Sequence, residues 1–211
     1  TEAFGGNFIQ IIIGGAAINP EVEKFLTSIK FPFTVGYGMT ECGPLISYEP
    51  FKTTRMQSVG KAINYVEVKI DSETPQATVG EILVKGENVM CGYYKNKEAT
   101  DEVLDKEGWL HTGDLGIMDA DGFVYIRGRS KNMILGASGQ NIYPEEIESK
   151  LNSMPYIQES LVIENNGAIV AMVYPDLEAV DADTKNKGNL EQWLAQRMEE
   201  NREYVNGQLP S

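Results

Sequence analysis

The stretch WLHTGDLGIMDADGFVYIRGRSKNMILGASGQNIYPEEIE, Trp109 to Glu148, decides how this chain is read. An apolar run, Leu115 to Met118, is followed by the polar turn Asp119-Ala120-Asp121-Gly122 and a second apolar run, Phe123 to Ile126. An Asp-Gly turn between two alternating runs predicts a β-hairpin. Asp114 precedes the hairpin, and Arg129 follows it inside Arg127-Gly128-Arg129. A hairpin folds back on itself, so the two residues should meet at its open end. A carboxylate accepts from two vicinal hydroxyls and a guanidinium donates in a fork, a pairing suited to a ribose and its phosphate. Taken alone, the pair favours a plainer reading, a structural salt bridge at the hairpin mouth.

Other blocks change that balance. Gly14-Gly15-Ala16-Ala17-Ile18, then YGMTECGP (37–44), VGKAI (59–63), GEILVKGENVMCGYYKN (80–96), WLHTGD (109–114) and GRSKNMI (128–134) follow in order. Any one is weak. Together they resemble the adenylate-forming superfamily of acyl- and aryl-CoA synthetases, luciferases and peptide-synthetase adenylation domains. The segment from Gly108 to Glu148 is most similar to fatty acyl-CoA synthetases of the long-chain type.

The resemblance implies roles for individual residues. Gly14, Gly15 and Ala16 would form one wall of an adenine slot and Tyr37 the other, with Gly38 beside it. Bare backbone at a glycine can lie against a ring. The alternative is a glycine turn beside a core tyrosine. Thr40 would donate to a phosphate oxygen, and Glu41 would ligate Mg2+ as a hard oxygen donor; a solvated loop acid is the alternative for Glu41. Asp114 would hold the ribose hydroxyls and Arg129 ribose or phosphate oxygens. Ile126 would pack on the sugar, or simply fill a strand core position. Lys131 would be the hinge about which a small domain rotates between half-reactions, or else a surface lysine. Gly139 closes the loop Gly136-Ala137-Ser138-Gly139, which the resemblance brings to the pantetheine path. His111 and Cys42 are read as structural.

Composition limits the remaining choices. Of 211 residues, 42% are hydrophobic and 23% charged, which suits a globular core. The net charge of −13 argues against nucleic acid and anionic membrane surfaces as partners. Two cysteines, Cys42 and Cys91, make neither a disulfide framework nor a zinc site and fit a reducing, cytoplasmic compartment. No apolar run is long enough to span a bilayer, so any peripheral membrane contact is assigned to regions outside this stretch. Oligomeric state is not readable.

The expected fold is α/β followed by α+β. Residues 1–129 read as the carboxy-terminal part of a large ATP/AMP-binding domain. Within it, residues 1–57 form an α/β part, with a buried strand from Phe8 to Ile13, a helix from Asn19 to about Lys30 and a strand from Thr34 to Tyr37. Residues 58–129 form a β-rich, barrel-like subdomain with strands at 66–70, 80–85, 115–118 and 123–127 and a short helix at 99–104. Residues 130–211 read as a small mobile α+β domain: a strand at 133–135, a helix at 144–152, a hairpin across Asn165-Asn166-Gly167, a polar loop at 181–188 and a helix at 190–206.

The resemblance places a phosphate loop upstream and a catalytic lysine downstream, so the chain is expected to be a carboxy-terminal fragment inactive by itself. The parent reaction would be AMP-forming fatty acid–CoA ligation, with ATP, fatty acid and CoA as substrates and Mg2+ as cofactor. Rival readings are an adenylating enzyme that loads an acyl carrier protein and a non-catalytic nucleotide- or partner-binding module.

Overall fold

The structure is a computed structural model that describes residues 5–15, 17–136, 139–184 and 189–207. The chain divides into two compact units, Thr1–Lys131 and Asn132–Ser211.

In the first unit, β1 (Ile11–Ile13) lies parallel to β2 (Phe33–Val35), joined by α1 (Pro20–Ser28). The start of α1 follows from Asn19, whose side chain accepts from the Glu21 and Val22 amides ahead of Pro20. The strand expected over Phe8–Ile13 is shorter than predicted and is not buried: Ile9 is 79% and Ile12 55% exposed. The apolar run reflects a strand whose only pairing among the described residues is with β2, and one neighbour covers neither face. The helix stops at Ser28, before the expected Lys30, which has φ +53° outside the helical region.

The chain turns at Gly36 into β3 (Tyr37–Gly38), a 3-10 turn over Thr40–Cys42, β4 (Leu45–Tyr48) and β5 (Lys61–Ala62). β4 and β5 escaped the sequence reading because they are short and carry Ser47 and Lys61 on weak patterns. Gly38 is required by close approach, since a Cβ there would meet the Pro44 carbonyl oxygen at 2.1 Å. β6 (Val66–Asp71), β7 (Gly80–Gly86), α2 (Lys97–Val103), β8 (Leu110–Met118) and β9 (Val124–Arg129) follow, the strands forming one antiparallel sheet in the order β6-β7-β8-β9. The sheet curls toward β5, because Val59 N donates to Val124 O (3.0 Å) and Val124 N to Gly60 O (2.9 Å). One core serves both sheets, with Val35, Tyr37, Ile46, Ile82, Leu110 and Val124 among its buried members.

In the second unit, β10 (Ile134–Leu135) pairs with β11 (Asn141–Ile142) ahead of α3 (Pro144–Leu151). α3 carries Glu145 and Glu146 in its first turn, where the helix dipole favours acids. β12 (Ile157–Asn165) and β13 (Ala168–Pro175) form the expected hairpin, with positive φ at Asn166 and Gly167, as a two-residue turn requires. The polar loop expected at 181–188 is corrected in its first half. α4 (Leu177–Thr184) occupies it, started by Asp176, whose Oδ1 accepts from Ala179 N at 3.1 Å, and anchored by buried Val180. Residues 185–188 lie outside the described ones. α5 (Leu190–Asn206) packs Val205 with Leu151, Ile157 and Val162 into a separate core.

Buried Glu23 ties α1 to the rest of its unit. It accepts from Gln57 N at 2.9 and 3.1 Å and from the Gln57 side-chain amide. Hydrogen bonds to a charged group contribute about 1.5–3 kcal/mol. Glu23→Ala should therefore lower the urea midpoint by a corresponding amount; an unchanged midpoint would show that the contact is dispensable.

Candidate nucleotide site

Asp114 and Arg129 face each other in the β8–β9 register, and Arg129 Nε lies 2.8 Å from Asp114 Oδ1. The hairpin mouth does hold a salt bridge. It is not a simple surface pair, because the Asp114 residue is buried and the Arg129 side chain is 57% exposed. The Tyr37 hydroxyl donates to Asp114 Oδ2 at 2.6 Å. Each carboxylate oxygen thus has a donor, one from the adjoining strand and one from β3. Burial first, and then the Asp114 charge, pushes the Tyr37 phenol well above its ordinary range, so it remains a neutral donor.

Tyr37 is a buried core member rather than a freely presented aromatic face. Gly14 lies against the same strand region: a Cβ built on it would approach Gly36 O to 3.6 Å, and Gly36 N donates to Ile13 O at 2.9 Å. Gly15 is exposed with φ +87°. Ala16, Ala137 and Ser138 lie outside the described residues.

Thr40 and Glu41 stand on the 3-10 turn that follows β3. Thr40 is three positions after Tyr37, so at most about 11 Å of chain separates them. Thr40 is exposed; Glu41 is half-buried, and its Oε1 accepts from the Tyr93 hydroxyl at 2.8 Å. Met90 N donates to Glu41 O at 2.8 Å, while the Asn88 side chain donates to the Cys42 and Leu45 carbonyls at 2.7 and 2.8 Å. Sequence reasoning left Asn88 and Tyr93 without roles, although both lie in the GENVMCGYYKN block; only the fold reveals that this block braces the Thr-Glu turn. Ile126 is half-buried and packs against the core. Lys131 is exposed and ends the first unit. Gly139 belongs to the second unit, with φ +80° and its amide on Gly136 O at 2.8 Å.

The first unit thus holds a buried carboxylate beside an exposed guanidinium, and the turn that follows Tyr37 carries a hydroxyl and a second carboxylate. The Arg129 contact uses Nε, so the terminal nitrogens can donate to a further anion. These donors and acceptors fit a ribose-phosphate. For Mg2+ the fit is narrower. Among the described residues no group of three or more His, Cys, Asp or Glu could hold a metal. Glu41 alone would share an ion with ligand phosphates and water, the usual mode for Mg2+. No described helix is long and apolar enough to cross a membrane.

The AMP-binding enzyme family matches residues 2–94. A long-chain-fatty-acid–CoA ligase of Escherichia coli O6:H1 is 46% identical over 129 residues, which is 59% of this chain and 23% of the relative. A human long-chain-fatty-acid–CoA ligase is 34% identical over 82% of this chain and 24% of its own length. The chain therefore spans about a quarter of these curated relatives. Among solved structures, O-succinylbenzoate coenzyme A synthetase from Bacillus subtilis with ATP and magnesium superposes with a TM-score of 0.72. It is 33% identical, over 80% of this chain and 37% of that one. The same enzyme with its acyl-adenylate intermediate gives 0.73 at 30% identity, over 88% and 41%. The chain belongs to the adenylate-forming superfamily of AMP-binding enzymes.

Burial, reinforced by the neighbouring Glu41 carboxylate, pushes the Cys42 thiol up to about 11. Cys42 is fully buried and Cys91 exposed. Thiol labelling at neutral pH should modify Cys91 alone in the native chain and both cysteines in denaturant. Rapid native labelling of Cys42 would contradict its assignment as a packing residue.

Proposed function

We propose that the chain supplies ribose-, phosphate- and Mg2+-binding groups to an AMP-forming fatty acid–CoA ligase. In this reading ATP and a fatty acid carboxylate give an acyl-adenylate and pyrophosphate. The CoA thiol then takes the acyl group and releases AMP. The observation that carries the proposal is the buried Asp114 carboxylate held between Tyr37 and the exposed Arg129. Asp114 accepts from the ribose hydroxyls, Arg129 and Thr40 donate to ribose or phosphate oxygens, Gly14, Gly15 and Gly38 flank the base, and Tyr37 holds Asp114 in place. Mg2+, held in part by Glu41, would neutralise phosphate charge. The protein contributes orientation and charge complementarity.

Lys131 is the proposed hinge, supported by the division of the chain after it. Gly139 and its loop would serve the thioester step. The 46% identity to a bacterial long-chain ligase favours a fatty acid as substrate. Similarity to O-succinylbenzoate coenzyme A synthetase supports a second reading, an aromatic or other short acid activated by the same chemistry.

Calorimetric titration of the 211-residue chain with AMP and with 2′,3′-dideoxy-AMP tests the central assignment. A hydrogen bond to a charged group is worth about 1.5–3 kcal/mol, so dideoxy-AMP should bind about ten- to a hundredfold more weakly. Asp114→Asn should weaken AMP and narrow that ratio. Equal affinity for both nucleotides would remove Asp114 from the ribose.

A further inference from the structure

We propose that Glu81 is a positioning residue of the nucleotide site, acting on Asp114 from behind. The proposal rests on the assignment of Asp114 to the ribose and extends it to a residue with no assigned role.

On β7, Glu81 stands opposite Leu115 of β8, and Leu83 stands opposite His111. Two steps along β7 therefore correspond to four along β8, so β8 carries two surplus residues between His111 and Leu115. A bulge of this kind leaves ladder groups unpaired and re-aims side chains. Here three residues, Thr112-Gly113-Asp114, stand against Ile82 alone, and Gly113 takes φ +72°, a left-handed conformation that glycine accepts without strain.

The bulge needs substitute partners, and Glu81 provides two. Its Oε1 accepts from Gly113 N at 2.8 Å, and its Oε2 lies 2.9 Å from His111 Nδ1. One carboxylate thus holds His111, the residue that enters the bulge, and Gly113 at its middle, just before Asp114. Thr112 completes the frame: its hydroxyl donates to Ile82 O at 2.7 Å and accepts from Asp114 N at 3.1 Å. On the other side Ser130 N donates to Gly113 O at 2.8 Å, next to Arg129. The bulge is held by Glu81 on the β7 side and by the β9 end on the other. The influence of Glu81 on Asp114 passes through the backbone that it fixes at Gly113. Without Glu81 the Gly113 amide loses its acceptor, and glycine is the residue least restrained by its own backbone.

The test uses the 211-residue chain as wild type, Glu81→Gln, Glu81→Ala, Glu81→Asp and Asp114→Asn. Three quantities are read: the AMP to dideoxy-AMP affinity ratio, amide exchange at Gly113, and the melting temperature. Gln keeps an oxygen for Gly113 N and can donate to His111 Nδ1, so E81Q should stay within about threefold of the wild-type ratio. E81A should speed Gly113 exchange and reduce the ratio by about five- to a hundredfold, the effect of losing a charged acceptor to a half-buried donor. E81D, a methylene shorter, should fall between them and keeps the test alive if E81A does not fold. A purely structural Glu81 would lower the melting temperature while leaving the ratio of the folded protein unchanged, which would overturn the proposal. E81Q as impaired as E81A would also overturn it. If Asp114→Asn leaves the ratio unchanged, the ribose assignment fails and takes this inference with it. Impairment by Asp114→Asn with none in E81A or E81D defeats the inference alone.

Discussion

A carboxylate buried at the end of a hairpin must be compensated, and the architecture of the first unit follows from how Asp114 is compensated. An unpaired buried charge is strongly destabilising, by about 3–5 kcal/mol when one partner of a pair is removed. Asp114 has Arg129 on one oxygen and the Tyr37 hydroxyl on the other. The Tyr37 bond crosses 77 residues of sequence, so it joins the strand after the parallel β1–β2 pair to the curled antiparallel sheet. The same three side chains make the hairpin mouth polar and fix where a ligand's hydroxyls would be received. The stabilising contact and the proposed binding contact share one carboxylate.

The local chemistry around it is ordered by where backbone groups go. β8 would be a plain strand without its surplus residues. With them it needs Glu81, Thr112 and the Ser130 amide to satisfy the bulge. The Thr40–Cys42 turn is braced in the same way by Asn88 and Tyr93. Both candidate ligand-binding loops are therefore irregular segments pinned to regular ones by polar side chains from the neighbouring strand or loop, the arrangement a rigid site requires.

Much of this was legible in the sequence. The Asp-Gly turn with its flanking runs specified the β8–β9 hairpin, because hairpin register is set locally by the turn; a register shift between Leu115 and Gly116 then brings Arg129 rather than Gly128 opposite Asp114. Asn19-Pro20 and Tyr143-Pro144 marked helix starts for equally local reasons. What escaped depends on contacts distant in sequence. The Tyr37–Asp114 bond, the grip of Glu81 on Gly113 and the role of Asn88 have no periodic signature, since each joins residues 30 or more positions apart. The burial expected for Phe8–Ile13 failed because hydrophobicity records what a strand prefers, and a single neighbouring strand cannot provide it. α4 was hidden by acidic composition, although Asp176 and Val180 supply its cap and anchor.

The most direct measurement is a crystal structure of the chain with AMP bound. The account predicts the ribose hydroxyls within hydrogen-bond distance of the Asp114 carboxylate, the phosphate beside Arg129 and the Thr40 hydroxyl, and the Gly113 amide still on Glu81. AMP seated elsewhere, or seated there with Asp114 turned away from the sugar and held only by Arg129 and Tyr37, would contradict it.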